Sequence, residues 1–146
     1  MNILALDVAT KTGWATVTSS GVWDLKPRHG ESVGMRVIRF KAKLKELIRT
    51  EEIELISYER PSGRNSRAIQ TQSELIGVLI TLCHENNIEY ASYIPSEIKR
   101  HATGKGNCNK EQMIEAAKKR WPKVEIIDDN QSDALWLLDM TKQRLT

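Results

Sequence analysis

Continuous apolar runs alternate with apolar stripes along this chain, and they divide it into strands and helices. Asn2 to Val8 is apolar and β-branched enough for a buried strand, and Gly13 to Thr18 reads as its hairpin partner across the turn Ala9-Thr10-Lys11-Thr12. A third short strand is expected near Gly21 to Leu25, then a loop over 26–33. From Gly34 to Thr50 the period changes: Val37, Phe40, Leu44, Leu47 and Ile48 recur at helical spacing, with the basic residues largely opposite. Ile53 to Tyr58 is another buried strand, ending at Glu59, and Pro61-Ser62-Gly63 breaks it. A long helix from about Ser66 to His84 carries the stripe Leu75, Ile76, Leu79, Ile80 and Cys83. Ile88 to Ile94 is a further strand, closed by Pro95, which opens a short helix through Arg100. After a glycine-bearing loop, Thr103 to Asn109, Asn109 caps a helix from Lys110 to about Arg120, and Pro122 stops it. The last helix begins near Asp129 and carries Ala134, Leu135, Leu137 and Leu138. Strands alternating with helices imply a mixed sheet with helices packed on it. At 146 residues, one domain spanning 1–146 is expected.

Composition adds a core and a partner class. About 40% of residues are apolar, so disorder is not indicated. The net charge of +3 says little, but its distribution says more. Arg36, Arg39, Lys41, Lys43, Lys45 and Arg49 form one basic group; Arg60, Arg64 and Arg67 form a second. Lys99, Arg100, Lys105 and Lys110 form a third, and Lys118, Lys119 and Arg120 follow. Basic groups around isolated carboxylates suit a polyanion that meets a metal site, although any one cluster reads equally well as a solvated helix face. Cys83 and Cys108 are far apart without metal-ligand spacing, and Cys83 falls on an apolar helix face, so a reducing, cytoplasmic compartment is the default. The opening MNILALDVAT turns acidic too soon for a signal peptide. No stretch approaches the ~18 apolar residues of a membrane span.

The carboxylates carry the candidate chemistry. Asp7 and Glu59 each end an apolar strand; either alone reads as a turn residue or cap, but in one sheet the two could lie side by side. Asp129 and Asp133, four apart on a helix, share one face. Asp128 and Asp129 also suit N-capping and dipole compensation. Asp133 precedes Ala134-Leu135-Trp136-Leu137-Leu138 and so points toward the interior side, where a carboxylate needs a partner such as a metal ion. Such convergence fits phosphodiester hydrolysis, in which two Mg²⁺ or Mn²⁺ ions about 4 Å apart activate a water and stabilise the leaving oxygen. Without cations, the same acids would repel one another.

Several segments then fall in a recognisable order. They are Ile3-Leu4-Ala5-Leu6-Asp7 with Thr10 and Gly13, Glu59 after its strand, and Pro95-Ser96 with Lys99. Thr103-Gly104-Lys105-Gly106, Lys110-Glu111-Gln112-Met113, and Asp128-Asp129-Asn130 followed by Asp133-Ala134-Leu135 complete the series. Over nearly its whole length the chain thus resembles the RuvC family of Holliday junction resolvases, and the Asp-Asp-Asn form resembles phage-type members. The resemblance implies an α/β, ribonuclease-H-like fold with a mixed central sheet flanked by helices. It implies Asp7, Glu59, Asp129 and Asp133 as catalytic ligands of two Mg²⁺ ions, with Mn²⁺ as a substitute, and Lys99 and Lys110 beside the scissile phosphate. It implies DNA contacts from Arg60, Arg64, Arg67, Arg100 and Lys105 as well as the two lysines. It further implies a homodimer that cuts two strands of a four-way junction symmetrically, in the cytoplasm of a bacterium or a phage-infected host. The chain departs from the pattern in two places. Cellular members carry the third acid three residues before the last, where Asn130 stands here and the acid is Asp129. Ala9 stands where a glycine is common. The segment Arg60 to Arg67, matching the region that enters the junction crossover, has no aromatic wedge, so arginines serve there.

Three other readings stay open on the sequence. One is another nuclease of the same fold, acting on branched DNA or structured RNA. Another is a catalytically silent junction-binding protein, if Asn130 breaks the site. The third is a sugar-kinase or actin-like nucleotide-binding domain, for whose second lobe the chain is too short.

Overall fold

The computed structural model describes residues 1–145. The elements are β1 (Ile3–Asp7), β2 (Lys11–Ala15), β3 (Ser20–Asp24), α1 (Gly34–Thr50), β4 (Leu55–Glu59), α2 (Ser66–Glu85), β5 (Glu89–Tyr93), α3 (Pro95–Thr103), α4 (Lys110–Arg120) and α5 (Asp129–Leu145). The strands form one sheet in the order β3-β2-β1-β4-β5. β1, β2 and β3 pair antiparallel, whereas β1–β4 and β4–β5 pair parallel, so the sheet is mixed as the strand–helix alternation predicts.

The predicted boundaries need correction where turn chemistry acts. The β1–β2 turn is tighter than Ala9 to Thr12: Lys11 and Thr12 already belong to β2. The Thr12 hydroxyl donates to the Ala9 carbonyl at 2.6 Å and accepts from the Ala9 N–H, closing the turn early. Ile53 is buried but precedes β4, because Glu52 adopts a left-handed turn with φ of 48°. α3 runs past Arg100 to Thr103, where Gly104 takes φ of 84° and donates its N–H to the Arg100 carbonyl. The α4 start is as read: Asn109 and Gln112 exchange side-chain-to-backbone hydrogen bonds in a capping box.

Strand periodicity sorts side chains onto two faces. Leu4, Leu6, Ile56 and Tyr58 pack with Phe40, Leu44, Leu75 and Leu79 of α1 and α2. Ile3, Ala5 and Leu55 pack against Ile98, Met113, Ala117 and the Ala134–Leu138 run of α3, α4 and α5. By the same alternation, Asp7 and Glu59 belong to the second face. Leu75, Ile76, Leu79 and Cys83 are core residues, and burial pushes the Cys83 thiol up to about 11. Among the described residues no helix is long and apolar enough to cross a membrane.

Candidate functional site

α5 lies across β1 and β2, and its docking places the helix-borne acids over the strand ends. Gly13 makes this approach possible: a Cβ there would sit 1.9 Å from the Asn130 carbonyl oxygen. Gln131, 2% exposed, pins the first turn. Its amide nitrogen donates to Ser20 Oγ at 3.0 Å and to the Glu125 carbonyl, and its oxygen accepts from the Ile127 N–H. Further along, the Thr141 hydroxyl donates to Ser57 Oγ at 2.9 Å, while Ser132 Oγ and Trp136 Nε1 donate to the Met113 carbonyl. α5 is thus fixed to β3, β4 and α4 together.

Asp128 is the N-cap, accepting from the Gln131 N–H at 3.0 Å. That leaves Asp129 free to face the cleft lined by Glu59, Asp133, Lys99 and Lys110. Its carboxylate sits 3.7 Å from Lys110 Nζ. Asn130, one residue on and so about 100° around the helix, lines a different cleft, and its amide donates to Asp128.

The parallel register that sets Leu6 beside Tyr58 brings Asp7 level with Glu59. Asp7 is only 8% exposed. Burial first, then the charges of Glu59, Asp133 and Asp129, hold its carboxyl well above the usual range, and it is hydrogen-bonded to Glu59. Burial also raises Glu59, against the opposing effects of that hydrogen bond and of the Lys99 charge. Asp133 is pushed up to about 7, by burial and then by Glu59 and Asp129, with Lys99 and Lys110 pulling the other way. Four carboxylates on three elements therefore crowd together at one end of the sheet, two lysines facing them.

Such a cluster fits hard divalent cations. It offers carboxylate oxygens, and its protons stand where positive charge would relieve the repulsion. Among the described residues no group of three or more His, Cys, Asp or Glu side chains is already set to hold a metal ion.

The remaining candidates divide by position. Lys99 (α3) and Lys110 (α4) line the carboxylate cleft. Arg60, Arg64, Arg100 and Lys105 are exposed and do not line it. Arg60 Nε donates to Ser92 Oγ at 2.9 Å, and the Lys105 N–H donates to Thr103 Oγ1. Arg67 lines the second cleft with Asn130. Sequence reasoning passed over Ser62, Cys108, Asn109 and Glu111, which also line the carboxylate cleft. Glu111 stands beside Lys110 in a segment already singled out, so its neighbourhood was the available signal.

A mixed five-stranded sheet with helices on both faces, and acids at the ends of β1 and β4 facing an acidic helix, defines the ribonuclease-H-like class. The family model "Crossover junction endodeoxyribonuclease RuvC" matches residues 9–138, and the chain belongs to that family. Crossover junction endodeoxyribonuclease RuvC of Brachyspira hyodysenteriae is 32% identical over 97 residues, covering 60% of each chain. That of Caldicellulosiruptor saccharolyticus is 29% identical over 103 residues, covering 69% of this chain and 62% of the relative. The matched stretches thus span about three fifths of these relatives. Thermus thermophilus RuvC, solved in complex with a Holliday junction substrate, superposes with a TM-score of 0.77 at 18% identity, covering 94% of this chain and 90% of that one. This last likeness is one of fold.

Proposed function

We propose that this protein is a structure-selective DNA endonuclease that resolves four-way junctions by metal-dependent phosphodiester hydrolysis. The observation that carries the proposal is the convergence of Asp7, Glu59, Asp129 and Asp133 in a cleft faced by Lys99 and Lys110, in a chain of the RuvC family. The four carboxylates would hold two Mg²⁺ ions, or Mn²⁺ in their place. When bound, these ions supply an activated water and charge stabilisation for the leaving oxygen. Lys99 and Lys110 hold the phosphate and offset its developing charge. Arg60, Arg64, Arg67, Arg100 and Lys105 contact the backbone of the branched substrate, so recognition rests on shape and phosphate more than on bases. A junction presents two equivalent strands, and a two-fold homodimer would set one cleft at each. The free cysteines suit the reducing cytoplasm of a bacterium or a phage-infected cell.

The test compares cleavage of a four-way junction, linear duplex DNA and structured RNA, with Mg²⁺ and with chelator. Paired, symmetric, metal-dependent nicks in the junction are expected. Equal cutting of linear duplex would leave a general nuclease, and binding without cutting would leave a silent junction-binding protein.

A further inference from the structure

Away from the carboxylate cleft, three helices meet at a polar cluster that the chemistry above does not use. Asp139 of α5 stands between the buried Leu138 and Met140, and its side chain is only 27% exposed. His101 Nε2 of α3 lies 2.8 Å from its Oδ2, and since a carboxylate only accepts, the ring nitrogen donates. Arg120 of α4 donates to its Oδ1 at 3.4 Å. Both carboxylate oxygens are thus taken, each by a different helix. His101 also sets its ring edge-on to Trp136, whose Nε1 donates to the Met113 carbonyl of α4. A half-buried carboxylate costs desolvation that an apolar side chain at the same position would avoid. What the carboxylate adds is direction: apolar surfaces slide on one another, whereas hydrogen bonds from two helices fix their register.

The three helices that meet at Asp139 are the three that face one another across the carboxylate cleft. α3 brings Lys99, α4 brings Lys110, and α5 brings Asp129 and Asp133. On α3, Ile98 and His101 are three apart and share the face turned to α5, so their seating directs Lys99 between them. On α4, Met113, Ala117 and Arg120 continue one stripe away from the cleft. Asp139 lies six residues past Asp133, about 9 Å along α5, and does not line the cleft. We infer that Asp139 is a positioning residue. By clamping His101 and Arg120 it sets how Lys99 and Lys110 reach over the carboxylates, and so how the cleft grips a phosphate. The His101 arm is the shorter and the better buried, so Lys99 depends on the clamp more than Lys110 does. The inference rests on the nuclease reading for the role of the lysines, but its binding half can be tested apart from cleavage.

Binding of a labelled junction in chelator is measured first. Asp139→Leu removes a negative charge, which by bulk electrostatics alone should strengthen binding to a polyanion. The clamp predicts the opposite: weaker binding, with the slope of log affinity against log salt reduced by about one as Lys99 leaves its phosphate. Asp139→Asn keeps an acceptor for Arg120 and a polar partner for His101, and should hold the wild-type slope. With Mg²⁺, Asp139→Leu should slow single-turnover cleavage by about tenfold or more. In a Lys99→Ala background the same change should cost less than about twofold further, because the two act through one contact. If leucine lowers the melting temperature, His101→Phe, which keeps a ring against Trp136, carries the same readings. An unchanged or steeper slope in Asp139→Leu overturns the clamp, as does a slope reduced equally in Asp139→Asn. So does a cleavage loss that multiplies in full with that of Lys99→Ala. A wild type that binds junctions but never cuts them sinks the nuclease reading alone, and the salt slope still decides the clamp.

Discussion

Removing one carboxylate from the crowded cluster should make the metal-free protein more stable while abolishing its activity. Asp133 keeps its proton up to about 7, against an ordinary 3.8, because burial and then the charges of Glu59 and Asp129 oppose its ionised form. A carboxyl raised in this way contributes its full stability below the unfolded value and loses it as pH rises through about 7. Holding Asp133 ionised at pH 8 therefore costs on the order of 4 kcal/mol at the ceiling. The cleft is open to water, where the effective dielectric is higher, so about 2 kcal/mol is the expected gain from Asp133→Asn. For a domain of this size that is about 4–8 °C in melting temperature. The assay is thermal unfolding in chelator at pH 6 and pH 8, for wild type and variant. Wild type should melt lower at pH 8 than at pH 6, and the variant should flatten that difference. Adding Mg²⁺ at pH 8 should restore wild type by mass action and leave the variant nearly unmoved. A wild-type melting temperature unchanged from pH 6 to pH 8, with no gain in Asp133→Asn, would refute the idea that these acids are held together against their repulsion.

Asp7→Asn, Glu59→Gln and Asp133→Asn should each lower junction cleavage by about 10²–10³-fold or more while junction binding persists, and full activity in any one removes that residue from the site. Asp129→Asn should cost far more cleavage than Asn130→Ala, since only Asp129 faces Asp133 and Lys110; the reverse ranking would show Asn130 acting at the metal. Gly13→Ala places a methyl against the Asn130 carbonyl and should cost about 1–3 kcal/mol, together with cleavage as α5 shifts, and a variant as stable and active as wild type would contradict that close contact. Sedimentation of the free protein and of its junction complex should show a dimer, and a monomer in both would count against symmetric resolution.

What the sequence determined by itself were the elements and the residue types at their ends. Periods of two and of 3.6 are local properties, so α1, α4 and the start of α5 stood where the stripes put them, and Asn109 announced its cap. The same patterns left Asp7 and Glu59 at strand ends and Asp133 beside an apolar run. Other features needed the tertiary structure, because they depend on how one element docks on another. Neighbouring residues on a helix point about 100° apart, so only the docking of α5 through Gly13 and Gln131 decides that Asp129 faces the acids and Asn130 the second cleft. Of the basic groups, the sequence could not separate Lys99 and Lys110, which line the carboxylate cleft, from Arg100 and Lys105, which do not. The second cleft was illegible for the same reason. Its walls come from the β1–β2 turn, α1, α2 and α5, and no local period links residues so far apart along the chain.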